Sequence, residues 1–207
     1  SRAVRLTEQA NGTYTFVMPA SDATVEAVFQ IRLAFTDVPS GSYYEDAVLW
    51  AVGEGITTGI SAHAFAPDGS CTRAQAVTFL WRAAGSPAPV SAKTRFADVA
   101  ASSYYSDAVL WAVENGITNG TSDTTFSPDA VCTRAQIVVF LWRAKERTAA
   151  GSGTRFADVA ETAYYADAVL WAVKEGVTLG TSANAFSPDE TCTRAQIVTF
   201  LWRTLAK

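Results

Sequence analysis

The chain has 207 residues, 49% of them hydrophobic and 17% charged, with a net charge of −4. That apolar share supports a core in one or two domains, and the acidic balance argues against a nucleic-acid binder, which would carry a basic face. No run of about 18 apolar residues is present to span a membrane. A single histidine, His63, leaves no repeated imidazole for catalysis or metal binding.

The first residues lack the apolar core of a secretion signal, so for an exported chain the signal is expected upstream. Residues 1–34 read as a β-rich segment. Asn11-Gly12 is a turn signal, Thr13–Val17 alternates in polarity, and Thr24–Leu33 is rich in β-branched residues. Two strands joined by the loop carrying Pro19 are expected. So short a segment buries little core by itself. The stretch from Asn11 to Phe29 resembles the tail end of the small β-rich modules of large bacterial surface proteins.

From Phe35 onward the chain repeats itself with a period of about 60 residues, as the anchors Phe35/Phe96/Phe156, Trp50/Trp111/Trp171 and Cys71/Cys132/Cys192 show. Expected boundaries are 35–87, 88–148 and 149–207. Each unit opens on FTDV or FADV, whose Asp37, Asp98 and Asp158 are read as cap or turn residues, since their spacing does not fit a calcium loop. A short helix follows at Tyr43–Val52, Tyr104–Val113 and Tyr164–Val173, ended by Gly55, Gly116 and Gly176. Next comes a loop bent by Gly59, Gly120 and Gly180 and by Pro67, Pro128 and Pro188, with Phe65, Phe126 and Phe186 as plugs into the core. Linkers lie at Gly85–Thr94 and Thr148–Thr154, and Lys207 is read as the natural C-terminus.

The fourth part of each unit is the most repetitive: CTRAQAVTFLWR, CTRAQIVVFLWR and CTRAQIVTFLWR. Thr72, Thr133 and Thr193 are N-cap residues, and Gln75, Gln136 and Gln196 three positions on complete a capping box. The preceding cysteines are read as free thiols, small buried hydrophobes in an N-terminal staple with Ala76, Ile137 and Ile197; no other ligand type repeats near them to complete a metal site. Val77, Leu80, Trp81 and their equivalents form the apolar face, and burying that same face three times calls for three parallel helices about a shared axis. The tryptophans are assigned to the core and the Tyr-Tyr pairs to half-buried edges. Arg73, Arg134 and Arg194 are read as exposed side chains in the first turn, where the helix dipole disfavours a cation. Two roles fit an arginine there: pairing with a neighbouring acid such as Asp68, Asp129 or Asp189, or holding an anion that exposed helix N–H groups also attract.

The pattern F-x-D-V, Y-Y-x-x-A-V-x-W-A-V-x-x-G-I-T-x-G, F-x-P, T-R-A-Q, F-L-W-R is similar to the S-layer homology domain, over about 170 residues in three copies. The resemblance implies a mainly α fold. Three repeats form a pseudo-threefold spindle with a central three-helix bundle, here preceded by the short β segment. It also implies a non-enzymatic module that anchors a bacterial surface protein outside the cell. The partner would be an acidic secondary cell-wall polysaccharide, often pyruvylated, held in grooves between repeats. Carried over, the ligand contacts are Arg73, Arg134 and Arg194, joined by Gln75, Gln136 and Gln196 and by Ser61, Ser122 and Ser182 of the groove-side loop. The chain has Gln where Glu is frequent in the family and Cys where Ile or Val is usual. No cofactor or metal is expected, and the alternative role is a protein–protein assembly module binding other surface proteins. Repeat 1 departs most, with Ala76 and Ile60-Ser61, so its groove is expected to be the weakest.

Overall fold

The computed structural model describes residues 7–9, 13–17, 35–146, 153 and 156–206. The chain separates into two compact units, Ser1–Ile31 and Arg32–Lys207. In the first, β1 (Thr7–Glu8) pairs antiparallel with β2 (Tyr14–Thr15), with Thr7 opposite Thr15 and Glu8 opposite Tyr14. The strand read at Thr13–Val17 therefore finds its partner before it in the chain, the shorter loop to close. The Asn11-Gly12 signal and the expected strand at Thr24–Leu33 lie outside the described residues.

The second unit is helical. Three short helices, α1 (Glu45–Gly53), α3 (Ser106–Glu114) and α5 (Ala166–Lys174), alternate with three longer ones, α2 (Arg73–Ala83), α4 (Arg134–Ala144) and α6 (Arg194–Leu205). Each short helix stops at its glycine in a Schellman motif. Gly55 has φ +68°, its N–H donates to Val52 C=O at 3.0 Å, and Ile56 N–H donates to Ala51 C=O at 2.8 Å. Each long helix opens with the expected capping box. Thr72 Oγ1 accepts the Gln75 N–H at 3.3 Å, and Gln75 Oε1 accepts the Thr72 N–H at 3.1 Å. The box recurs at Thr133/Gln136 and Thr193/Gln196.

Just before these caps the three repeats join. Cys71 N–H donates to Cys192 C=O at 3.1 Å, Cys192 N–H to Cys132 C=O at 2.9 Å, and Cys132 N–H to Cys71 C=O at 2.8 Å, a closed circle of backbone bonds. The long helices leave this ring together and pack on one another, α2 on α4, α4 on α6 and α6 on α2. Ala76, Ile137 and Ile197 meet around the axis one turn in, with Leu80, Leu141 and Leu201 a turn further. The predicted apolar stripe was too narrow. Every residue from Arg73 to Leu80 except Gln75 is buried, Phe79 included, because a central helix is covered on all sides. The tryptophans pack in or against this core as expected.

The short helices do not pack on the long helix of their own repeat. α3 lies on α2, α5 on α4, and α1 on α6, so each leans on the repeat before it and α1 closes the circle. The loop after each short helix is pinned by its plug, Phe65, Phe126 or Phe186, fully buried beside Phe35, Phe96 or Phe156 at ring separations of 5.9, 5.9 and 6.0 Å. The following residue, Ala66, Ser127 or Ser187, has φ near +57°, a conformation disfavoured for a residue with a Cβ. Asp37, Asp98 and Asp158 hold that corner. Asp98 Oδ1 accepts the Phe126 N–H at 2.9 Å and Oδ2 the Ser127 N–H at 2.7 Å. Burial opposes ionisation of the three aspartates. The loop N–H bonds, with Arg194, Arg73 and Arg134 nearby, outweigh it and hold all three carboxyls below their ordinary range.

Two expectations follow from these contacts. A carboxyl whose folded pKa lies below the unfolded value of about 3.9 stabilises the fold above that pH and loses this contribution as pH falls through the folded value. Asp98→Asn therefore lowers the melting temperature at about pH 7, and the gap to the parent narrows by about pH 3; calorimetric melting at both pH values reads it. The three cysteines are free and buried. Burial pushes the Cys71 and Cys132 thiols up to about 12 and raises Cys192 as well. Thiol titration should find none reactive in the native chain and three after unfolding; prompt labelling of the native chain would refute this packing.

Candidate functional site

The first-turn arginines form the inter-repeat contacts. Arg73 is 4% exposed, and its Nε donates to Phe126 C=O of the second repeat at 2.9 Å. Arg134 reaches Phe186 of the third repeat at 2.9 Å, and Arg194 reaches back to Phe65 of the first at 2.8 Å. Each guanidinium lies over two rings, for Arg73 those of Phe126 and Phe140 at 4.9 and 5.6 Å from the centroids. Burial lowers the pKa of all three arginines. The Asp98 charge that Arg73 senses is itself committed to the loop N–H groups of Phe126 and Ser127. In each arginine Nη2 is buried without a hydrogen-bond partner among the described residues.

Two expectations are corrected here. The arginine is not an exposed first-turn side chain but a buried bridge, because the chain's threefold closure carries it into the next repeat. The helix N-terminus also offers no free N–H groups to an anion. Arg73 N–H donates to Ala130 C=O at 2.9 Å and Ala74 N–H to Pro128 C=O at 3.0 Å, while the capping box takes the other two. The same pair of bonds joins Arg134 and Ala135 to Glu190 and Pro188, and Arg194 and Ala195 to Gly69 and Pro67.

Beside Arg73 opens a groove of about 310 Å³ to which all three repeats contribute. The first repeat supplies Arg73. The second supplies the loop Thr118–Thr121, Gln136, Phe140 and Arg143, and the third supplies Tyr164. The pseudo-threefold relation combines Arg134 with Tyr43, and Arg194 with Tyr104, in the same way. The expected weak groove therefore changes partner: Ile60 shares a groove with Arg194, not with Arg73. Gln136 both closes its box and lines the groove. Ser122 is outside that lining, and Ser61, Ser122 and Ser182 accept N–H bonds inside their own turns, from His63, Thr125 and Asn184 among others.

Two features of the groove were missed in the sequence. Tyr43, Tyr104 and Tyr164 are 60, 62 and 64% exposed, stacked edge-on against half-buried Tyr44, Tyr105 and Tyr165; the first of each pair is more exposed than expected. Arg143 Nη1 donates to Ile117 C=O at 3.0 Å, tying the far end of the long helix to the groove loop, as Arg82 does at Ile56 and Arg203 at Val177. The invariant position of this second arginine in F-L-W-R was the available signal.

The S-layer homology domain family matches residues 34–77, 95–138 and 155–198. The chain is 26% identical over 196 residues to an S-layer protein of Bacillus thuringiensis subsp. finitimus, covering 93% of this chain and 24% of that protein. It is 32% identical over 167 residues to the surface-layer 125 kDa protein of Lysinibacillus sphaericus, covering 79% of this chain and 14% of that protein. An endoglucanase of Bacillus sp. (strain KSM-635) is 33% identical over 102 residues, 49% of this chain and 11% of that enzyme. The chain thus spans about a quarter or less of the length of these relatives. These matches give it a cell-surface, cell-wall-associated location and a surface-layer anchoring role. Matched by the family in three successive segments that cover more than half its length, the chain belongs to the S-layer homology domain family.

Proposed function

We propose that this module, built of the repeats 35–87, 88–148 and 149–207, anchors a larger surface protein without catalysis. It does so by holding acidic residues of a secondary cell-wall polysaccharide, pyruvate-bearing ones among them, in its inter-repeat grooves. Arg73, Arg134 and Arg194 supply the charge. Gln136, Gln196 and Gln75 supply amides, and Tyr164, Tyr43 and Tyr104 supply exposed rings for a sugar face. Ser61, Ser122 and Ser182 shape the loop that borders each groove.

One observation carries this reading: three buried guanidinium groups each leave an Nη2 unpaired among the described residues, and that of Arg73 stands in a groove wall. A buried cation without a partner is costly, and a planar carboxylate accepting parallel N–H bonds offsets that cost better with Arg than with Lys. Among the described residues the neighbouring aspartates, Asp37, Asp98 and Asp158, are committed to the loop corners instead.

Titration calorimetry with purified wall polysaccharide, before and after mild acid removal of its ketals, tests the proposal. Affinity should fall about tenfold or more on removal, equivalent to one charge-assisted bond. Unchanged affinity removes the pyruvate; self-association in place of glycan binding favours the assembly role. Among variants, Tyr164→Ala should weaken binding at an unchanged melting temperature. Arg73→Ala should weaken binding and also destabilise by about 1.5–3 kcal/mol, the range for a hydrogen bond to a charged group, because it breaks the bridge to Phe126.

A further inference from the structure

The three grooves share their arginines but not their rims. In the Arg73 groove the loop presents Asn119 and Thr121 on either side of Gly120. The backbone turn there is the same in every repeat. The N–H groups of Thr121 and Ser122 reach Thr125 C=O at 2.8 and 3.2 Å, those of Ile60 and Ser61 reach Ala64, and those of Thr181 and Ser182 reach Ala185, at the same distances. Thr57, Thr118 and Thr178 each accept the N–H of the glycine two residues on. Equivalent loop side chains therefore occupy equivalent places. Ile60 stands where Thr121 stands, and Leu179 where Asn119 stands. Both are strongly exposed, Ile60 at 61% and Leu179 at 68%.

Resting on the reading that the grooves hold acidic sugars, we propose that they sort those sugars by what lies beside the carboxylate. The Asn119/Thr121 groove takes a hydroxyl-rich uronate. The Leu179 and Ile60 grooves take a sugar whose carboxylate carries an adjacent methyl, as a pyruvyl ketal does. A methyl laid on Leu179 or Ile60 removes apolar surface from water. A sugar hydroxyl in the same place loses its water and gains no partner, whereas Asn119 offers both a donor and an acceptor. Ile60 and Leu179 are thus specificity residues for the Arg194 and Arg134 grooves.

The experiment follows the backbone amide resonances of Gly59, Gly120 and Gly180 in the whole chain during titration with two probes, methyl glucuronide and a methyl glucoside bearing a 4,6-pyruvyl ketal. Glucuronide should shift Gly120 with a midpoint about three- to tenfold lower than Gly59 or Gly180, and the ketal should reverse that order. Ile60→Thr and Leu179→Asn, at exposed loop positions, should bring Gly59 and Gly180 toward the Gly120 response. Equal midpoints at all three glycines with both probes overturn the sorting and leave the acidic-sugar reading standing. So do variants that keep the parent order. No response at any glycine to either probe removes both.

Discussion

At Cys71, Cys132 and Cys192 three peptide groups donate and accept in a circle, each repeat giving its N–H to one neighbour and its carbonyl to the other. The first N–H groups of each long helix continue the pattern, finding acceptors in the loop of the next repeat. Each such bond contributes only about 1 kcal/mol net, but a buried amide left without a partner costs more. Together with the apolar core that the three long helices share, the need to satisfy these backbone groups makes the repeats associate, since the acceptors for these donors lie in neighbouring repeats. The small cysteine side chain fits this position: it is fully buried beside the ring.

The arginines add direction to that closure. Arg73, Arg134 and Arg194 each thread between two phenylalanine rings of the following repeat and meet the carbonyl of a buried plug. The plug peptide is held from both sides, its N–H by an aspartate and its C=O by an arginine from another repeat. Structural bridge and candidate ligand contact are therefore one residue, and its unpaired Nη2 is what remains once the structural bond is made.

Much of this was legible in the chain. The capping boxes, the glycine stops, the phenylalanine plugs and the buried free cysteines all follow from local spacing, and the structure bears them out at Thr72, Gly55, Phe65 and Cys71. Connectivity between repeats was not legible, for a physical reason. Three nearly identical units present the same donors and acceptors, so nothing local tells whether Arg73 meets Phe65 of its own repeat or Phe126 of the next. The same degeneracy hid the packing of α1 on α6. It also made a helix start with committed N–H groups look open. Arg73 in a first turn was rightly unusual, but charge alone does not reveal that the explanation is a carbonyl and two rings across an interface.

The contact between α1 and α6, with the Arg194 bond to Phe65 across 129 residues of sequence, bears on the order in which the molecule assembles. A chain emerging from a ribosome or an export channel presents α1 first, yet the surface on which α1 rests is the last to appear. Until then the first two repeats can form α2 against α3, while α1 remains without its seat and the cysteine ring lacks its third member. Closure therefore waits for the final helix and sets a high contact order on a fold whose helices are individually local. A module whose first helix rests on its sixth cannot close until the sixth has been released, so closure is the final step of its assembly.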